Sequence, residues 1–124
     1  MPKDLPGLDL NSFMSEQKEI PRDHIFGETF AHDIADISDP EASLTYRWVI
    51  KGKWKLLLSY DGKPGKSKYG KMEKEIRPQL FDLSADPFEK NNLAKANPEI
   101  VAELAKLIND WYPVTKRKVI TEFK

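Results

Sequence analysis

The sequence predicts an α+β fold, in which a small four-stranded antiparallel sheet carries a C-terminal amphipathic helix packed on one face. Three observations support this prediction: a hairpin-like segment from Tyr46 to Tyr60, short extended segments at 24–31 and 79–83, and a helical apolar stripe after Asn97. An antiparallel sheet and an amphipathic helix bury their apolar faces against each other. We therefore divide the 124 residues into an N-terminal segment 1–23, an α+β unit 24–112 and a tail 113–124.

The hairpin holds two of the three tryptophans of the chain. Large apolar side chains recur at every second position of both arms: Tyr46, Trp48 and Ile50, then Trp54, Leu56 and Leu58. Because side chains alternate across a strand, each arm has one apolar face. Lys51-Gly52 lies between the arms, and glycine supplies the positive φ that a two-residue turn requires.

The predicted helix starts after Asn97 and ends before Pro113. Asn97 is a suitable N-cap, Pro98 is tolerated at the first helical position, and Glu99 complements the positive end of the helix dipole. Its apolar residues follow helical spacing: Ile100, Val101, Leu104, Leu107, Ile108 and Trp111. We expect this stripe to cover the hairpin, so that both hairpin tryptophans lie in the core.

Turn-forming residues separate the remaining elements. Asp86-Pro87 and Asn91-Asn92 indicate an ordered turn after the last strand. Gly27, inside the first strand, indicates a bulge or a close approach of another group. Near the N-terminus, Asn11-Ser12 favours a short helical turn that runs to Glu16 or Gln17. Residues 114–124 are expected to form an extended tail or an extra edge strand.

The chain has no net charge, but its charges are segregated. Residues 1–45 carry three basic and ten acidic side chains (net −7), residues 46–77 carry ten and three (net +7), and residues 78–124 carry seven of each. We favour the interpretation that the acidic segment 1–45 and the basic hairpin neutralise each other within one fold, and a basic surface for an anionic partner is compatible with it. The chain has no cysteine, so a disulfide framework and a thiolate zinc site are excluded. No membrane partner is expected, because no apolar run has the required length. No nucleic-acid partner is expected either, because no binding motif is present.

Polar side chains at the end of the first strand are the candidates for chemistry. Glu28 and His32 could act together as acid–base or hydrogen-bonding groups. His32, Asp33, Asp36 and Asp39 resemble a metal cluster, but consecutive loop acids are typical of turns, and no metal site is predicted. A second candidate is the lysine-rich loop, in which Lys63, Lys66 and Lys68 could bind an anion.

Two segments resemble the C-terminal region of the sulfatase family. Residues 47–56 follow its pattern R-x-V-x-x-G-x-W-K-L, and residues 79–94 are similar to E-L-Y-D-L-x-x-D-P-x-E-x-x-N-L, which precedes a terminal helix. Residues 5–13 resemble a preceding G-x-D-G-x-S-L segment, and Gly27-Glu28 with His32 resembles the next strand. The resemblance extends over residues 5–112.

The resemblance implies a subdomain that docks on a large upstream catalytic domain. In the family, that domain holds calcium and a formylglycine nucleophile made from a C/S-x-P-x-R motif, which this chain lacks. We therefore expect the chain to be inactive alone and to have no cofactor of its own. Its expected role is to complete the fold and the rim of the substrate site of a parent that hydrolyses sulfuric esters. The family is often periplasmic or secreted, whereas the chain itself leaves its localisation undetermined.

The resemblance also implies roles for the candidate residues. Glu28, His32, Asp33 and Arg47 are expected at the substrate rim, and Lys63, Lys66 and Lys68 are expected to bind a sulfated carbohydrate. The alternative is a stand-alone module that binds sulfated or other anionic glycans through the lysine-rich loop. A subdomain cut from its parent should expose an apolar docking face and self-associate. The candidates for that face are Leu8, Phe13, Phe26 and Phe30.

Overall fold

A computed structural model describes residues 8, 10–16, 19, 21–31, 36–61 and 77–121. Their elements are, in chain order, α1 (Leu10–Glu16), β1 (His24–Phe30), a 3-10 turn (Pro40–Ser43), β2 (Leu44–Lys51), β3 (Trp54–Ser59), β4 (Gln79–Asp82), a second 3-10 turn (Ala94–Ala96) and α2 (Pro98–Trp111). The strands form an antiparallel sheet in the order β1-β2-β3-β4, with α2 on one face. The predicted α+β class is therefore confirmed. No helix among these residues is long and apolar enough to cross a membrane.

The hairpin between β2 and β3 turns at Gly52-Lys53. Lys51 is paired with Trp54, so the two residues between them form the turn. The prediction of Lys51-Gly52 was wrong by one residue, because Gly52 is the first central residue of the turn rather than the second. Gly52 has a φ of 56°, and the left-handed backbone that the turn requires there favours glycine.

The two faces of the sheet bury different residues than we expected. Cross-strand partners share a face, and Val49 is paired with Leu56, which is paired in turn with Leu80. These three side chains are fully buried beneath α2. Trp48 is paired with Leu57 and lies on the opposite face. The prediction that α2 covers both tryptophans is thus wrong for Trp48, whereas Trp54 packs against the core.

The helix α2 packs its apolar stripe on the sheet. Leu104 and Ile108 are buried in the core. We predicted that the Asn97 side chain caps α2, and this prediction is wrong. The amide nitrogen of Asn97 instead donates to the Leu93 carbonyl at 2.9 Å. The helix begins at Pro98 and ends at Trp111, one residue earlier than predicted.

The segment after α2 pairs with the chain at the C-terminal end of β3. Val119 forms a bridge with Tyr60, and the Ile120 amide donates to the Ser59 carbonyl at 3.0 Å. The predicted tail therefore forms a short edge pairing. Arg117 anchors it, because its Nη1 donates to three backbone carbonyls at the first 3-10 turn and the start of β2, those of Glu41, Ala42 and Leu44.

The N-terminal helix α1 confirms the predicted helical turn, although Asn11 lies inside it rather than at its cap. Among the residues proposed for an exposed docking face, Phe26 was wrongly assigned. Its ring stacks on Trp111, with centroids 4.7 Å apart, so it belongs to the interface between the sheet and α2. Phe30 is 45% exposed.

Candidate functional site

Two of the predicted site residues, Glu28 and Arg47, are direct neighbours in the sheet. The register pairs Glu28 of β1 with Arg47 of β2. The Glu28 Oε2 atom lies 4.0 Å from the Arg47 Nε atom. The Glu28 side chain is 29% exposed and the Arg47 side chain 0%. Glu28 is therefore the member of the pair that reaches the surface.

The buried Arg47 side chain connects the sheet to the end of α2. Its Nη2 donates to the Ile108 carbonyl at 3.0 Å, and its Nη1 donates to the Tyr60 hydroxyl at 3.5 Å. The Ile108 carbonyl also accepts a hydrogen bond of 3.4 Å from the Tyr112 amide. Carbonyls in the last turn of a helix carry partial negative charge, so a cation there is favourable. Burial raises the pKa of Tyr60, and the hydrogen bond from Arg47 opposes that rise.

Aromatic rings enclose the guanidinium group. Its central carbon lies 5.1 Å from the centroid of the Trp111 ring and 5.5 Å from that of Tyr112, which are distances of cation–π contacts. Trp111 and Tyr112 remain 39% and 49% exposed. The surface of this cluster thus consists of two aromatic rings beside the Glu28 carboxylate, while the cation lies beneath them.

The remaining predicted site residues lie outside the described residues. These are His32 and Asp33 at the rim, and Lys63, Lys66 and Lys68 in the lysine-rich loop. Their roles stay predictions, as does a contact between Arg47 and substrate, which would require a guanidinium that reaches solvent. Asp36 has the turn-forming role expected from sequence, since its Oδ1 accepts a hydrogen bond from the Ser38 amide at 2.8 Å. The described residues contain no group of three or more His, Cys, Asp or Glu that could hold a metal ion.

The lysines of the hairpin are paired with carboxylates. Lys51 contacts Glu103 at 3.0 Å, Lys53 contacts Asp82 at 2.7 Å, and Lys55 contacts Glu89 at 2.6 Å. We expected the acidic segment 1–45 to neutralise this basic hairpin. The closest partners of the three lysines lie instead in residues 78–124, so the prediction does not hold for them, although Asp23 of the acidic segment lies 4.0 Å from Lys51.

Sequence reasoning missed a cleft of about 660 Å³ between the hairpin turn and α2. Its lining includes the residues Asp23, Lys51, Lys53, Trp54, Ile100 and Glu103. The hydrogen bond to Glu103 raises the pKa of Lys51. The signal in the sequence is only a set of scattered charges, because the turn and α2 are about fifty residues apart and come together only in the fold.

The turn that follows β4 contains the most specific part of the family-like pattern. Asp82 stabilises its start: one carboxylate oxygen accepts hydrogen bonds from the amides of Ser84 and Ala85, and the other accepts one from Lys53. The bond from Lys53 contributes most, and that from the Ser84 hydroxyl next, to lowering the pKa of Asp82 from 3.8 to about 2.

Asn92 and Asp86 stabilise the rest of this turn. The Asn92 Oδ1 atom accepts hydrogen bonds from the amides of Leu80 and Ala94, and its Nδ2 atom donates to the Pro78 carbonyl. The Asp86 carboxylate accepts a hydrogen bond from the Asn91 amide at 2.7 Å. The polar residues of the pattern therefore bind the backbone of the turn and of the start of the adjoining strand β4, which gives them a structural role.

The fold and the sequence together relate this chain to the sulfatases. A 62-residue stretch is 48% identical to an N-acetylgalactosamine-6-O-sulfatase of Bacteroides thetaiotaomicron. A solved sulfatase structure, from work on the metabolism of multiple glycosaminoglycans by the same organism, superposes with a TM-score of 0.58 at 29% identity. No protein-family model matches the sequence.

Both matches cover a small part of a much larger protein. The sequence match covers 48% of this chain and 12% of the curated relative. The structural match covers 90% of this chain and 21% of the solved chain. The predicted relation to sulfatases is therefore confirmed. The chain spans only about an eighth to a fifth of the length of the sulfatases that it matches.

Proposed function

We propose that this chain is the C-terminal accessory subdomain of a sulfatase. In this role it is non-catalytic by itself and completes the fold and the rim of the substrate site of an enzyme that hydrolyses sulfuric esters. The observation that carries the proposal is the 48% identity to a sulfatase over a stretch that is only 12% of that enzyme. The calcium and the formylglycine that the sulfatase resemblance implies would belong to the upstream catalytic domain.

The arrangement around Arg47 supports a structural contribution. Buried hydrogen bonds and ring contacts fix β2 against the end of α2, which leaves Glu28, Trp111 and Tyr112 at one surface. A carboxylate and aromatic rings on a rigid support can contact a polyhydroxylated ligand through hydrogen bonds and ring stacking. In the proposed parent this surface, with His32 and Asp33, contributes to the rim that receives a sulfated carbohydrate.

A chimeric enzyme tests the proposal. In the N-acetylgalactosamine-6-O-sulfatase of Bacteroides thetaiotaomicron, the segment that contains the 62 aligned residues and corresponds to this chain is replaced by residues 1–124. We expect the chimera to be soluble, folded and active on a 6-O-sulfated N-acetylgalactosamine substrate, whereas the same enzyme without the segment is inactive. An insoluble or inactive chimera would contradict the proposal.

The isolated chain provides the second arm of the test. It should not hydrolyse an aryl sulfate or the sulfated sugar, and turnover by a preparation free of contaminating sulfatase would contradict the accessory role. Salt-sensitive binding of the isolated chain to heparin-like chains would instead favour the stand-alone glycan-binding module. That binding should then be lost when Lys63, Lys66 and Lys68 are replaced by alanine.

A further inference from the structure

The face of the sheet opposite to α2 is also apolar. Ile25 and Ile50 are paired in neighbouring strands, as are Trp48 and Leu57. We call these four residues the back face, and none of them belongs to the core between the sheet and α2. A strand that is buried on both faces has a continuous apolar sequence instead of an alternating one. Three consecutive leucines, residues 56–58, occur in β3.

Gly27 allows the Trp48 ring of the back face to lie against β1. A Cβ atom at this position would lie 2.2 Å from the Trp48 ring, so the indole lies directly against the backbone of β1. Gly27 is paired with Trp48 in the register, which places the ring across the strand. A tryptophan held flat against a sheet offers a broad apolar surface to a second layer.

The back face carries little charge. Lys55 shares this face of β3, and it contacts Glu89 at 2.6 Å and lies 5.7 Å from the centroid of the Trp48 ring. Ile25 is 47% exposed, and the other three members are half-buried. An apolar and locally neutral face of this kind favours packing against another apolar layer over contact with an anionic glycan.

We propose that the back face is the surface through which this chain docks on the rest of the sulfatase polypeptide. This inference rests on the proposed function. The occupant follows from the sizes compared above: the solved relative that contains the same fold has about four-fifths of its length outside the match. The sheet is then the middle layer of three, between α2 and the catalytic part of the enzyme.

The test introduces aspartate at single positions, both in the isolated chain and in the chimera described above. We expect Ile50→Asp and Ile25→Asp to leave the isolated chain folded, with a urea midpoint close to that of the unsubstituted chain. In the chimera, the same substitutions should lower the yield of soluble, active enzyme at least tenfold, because docking would bury an unpaired carboxylate. Ile37→Asp is the matched control, since Ile37 is 89% exposed in a loop, and it should be neutral in both proteins.

Four outcomes would overturn the inference, the last of them together with the proposed function. Back-face variants of the chimera that keep activity within twofold would show that this face does not dock. If Ile50→Asp unfolds the isolated chain as Leu56→Asp should, the back face belongs to the chain's own core. A concentration-dependent dimer of the isolated chain, lost in Ile50→Asp without any effect on the chimera, would identify a second copy as the occupant. If the unsubstituted chimera fails to fold, the proposed function itself fails, and the inference falls with it.

Discussion

Arg47 and Ile108 are 61 residues apart in the sequence and are joined by a hydrogen bond of 3.0 Å from the Nη2 atom to the carbonyl oxygen. The bond closes the end of α2 with a side chain from β2 that is fully buried. It links the two segments that the sequence identified most clearly, the hairpin and the helix. The same carbonyl also accepts a longer hydrogen bond, of 3.4 Å, from the Tyr112 amide.

The first prediction concerns this bond. Arg47→Met keeps much of the aliphatic packing but removes the shorter of the two hydrogen bonds to the Ile108 carbonyl, which retains the 3.4 Å bond from the Tyr112 amide. Because the lost donor is a buried charged group, we expect a loss of about 1.5–3 kcal/mol in the free energy of unfolding. Urea denaturation followed by tryptophan fluorescence measures it. Lys95→Met, at an exposed position of the second 3-10 turn, is the control and should be neutral. An Arg47→Met chain as stable as the unsubstituted one would show that the bond adds no net stability.

The second prediction concerns Asn92, whose side chain binds three backbone groups. Asn92→Ala removes all three bonds and leaves partly buried amides unpaired, which should lower the free energy of unfolding by about 1–3 kcal/mol. Asn91→Ala is a matched control, because Asn91 is exposed and its backbone amide, not its side chain, binds Asp86. Equal losses for the two variants would contradict the role given to the Asn92 side chain.

The third prediction concerns stability in acid. The pKa of Asp82 is lowered to about 2 in the folded chain, while the unfolded chain keeps the ordinary value of 3.8. Because the unfolded state binds the proton first, the contribution of Asp82 to stability is complete above about pH 4 and is lost as the pH falls towards 2. Asp82→Asn should therefore flatten the dependence of the urea midpoint on pH in this window.

The Asp82 test needs a control for a general loss of charge. Asp110→Asn removes a carboxylate from the exposed face of α2, where it pairs with Lys106. If Asp82→Asn and Asp110→Asn flatten the acid profile equally, the Asp82 contacts are not the source of the effect.

The fourth prediction concerns Gly27 and Trp48. Gly27→Ala places a methyl group within 2.2 Å of the indole, and the overpacking should cost about 1–3 kcal/mol of unfolding free energy. In the variant Trp48→Leu, adding Gly27→Ala should cost much less, because the obstructing ring is gone. A double-mutant cycle measured by urea denaturation tests this coupling, and additive effects would contradict the close contact.

The elements of this fold follow from local patterns in the sequence. The apolar spacing after Pro98 predicts α2, and the alternating residues around Gly52 predict the hairpin, because both patterns repeat within a few positions. The position of the turn was missed by one residue. Glycine accepts positive φ at either central position of a two-residue turn, and only the register of the paired strands decides between them.

The roles of individual polar residues were harder to predict than the elements. Asn97 is a residue type that often caps helices, yet its side-chain amide donates to the Leu93 carbonyl. The local sequence does not show which of these two hydrogen bonds an asparagine makes. Arg47 was expected at the substrate rim, and its burial depends on the end of α2 being placed above it. Lys51 and Glu103 form an ion pair across the cleft although they are 52 positions apart. Such partners are set by the tertiary fold rather than by sequence neighbours.

The ordered turn after β4 has a practical consequence for reading genomes. Its recognisable residues, among them Asp82, Asp86 and Asn92, bind the backbone of the turn and of the adjoining strand β4. A sequence search based on this stretch therefore identifies proteins that share the fold of this turn, and it gives no information on whether the catalytic nucleophile is present. Such a search would find gene fragments and degraded copies that lack the catalytic domain as readily as it finds active enzymes.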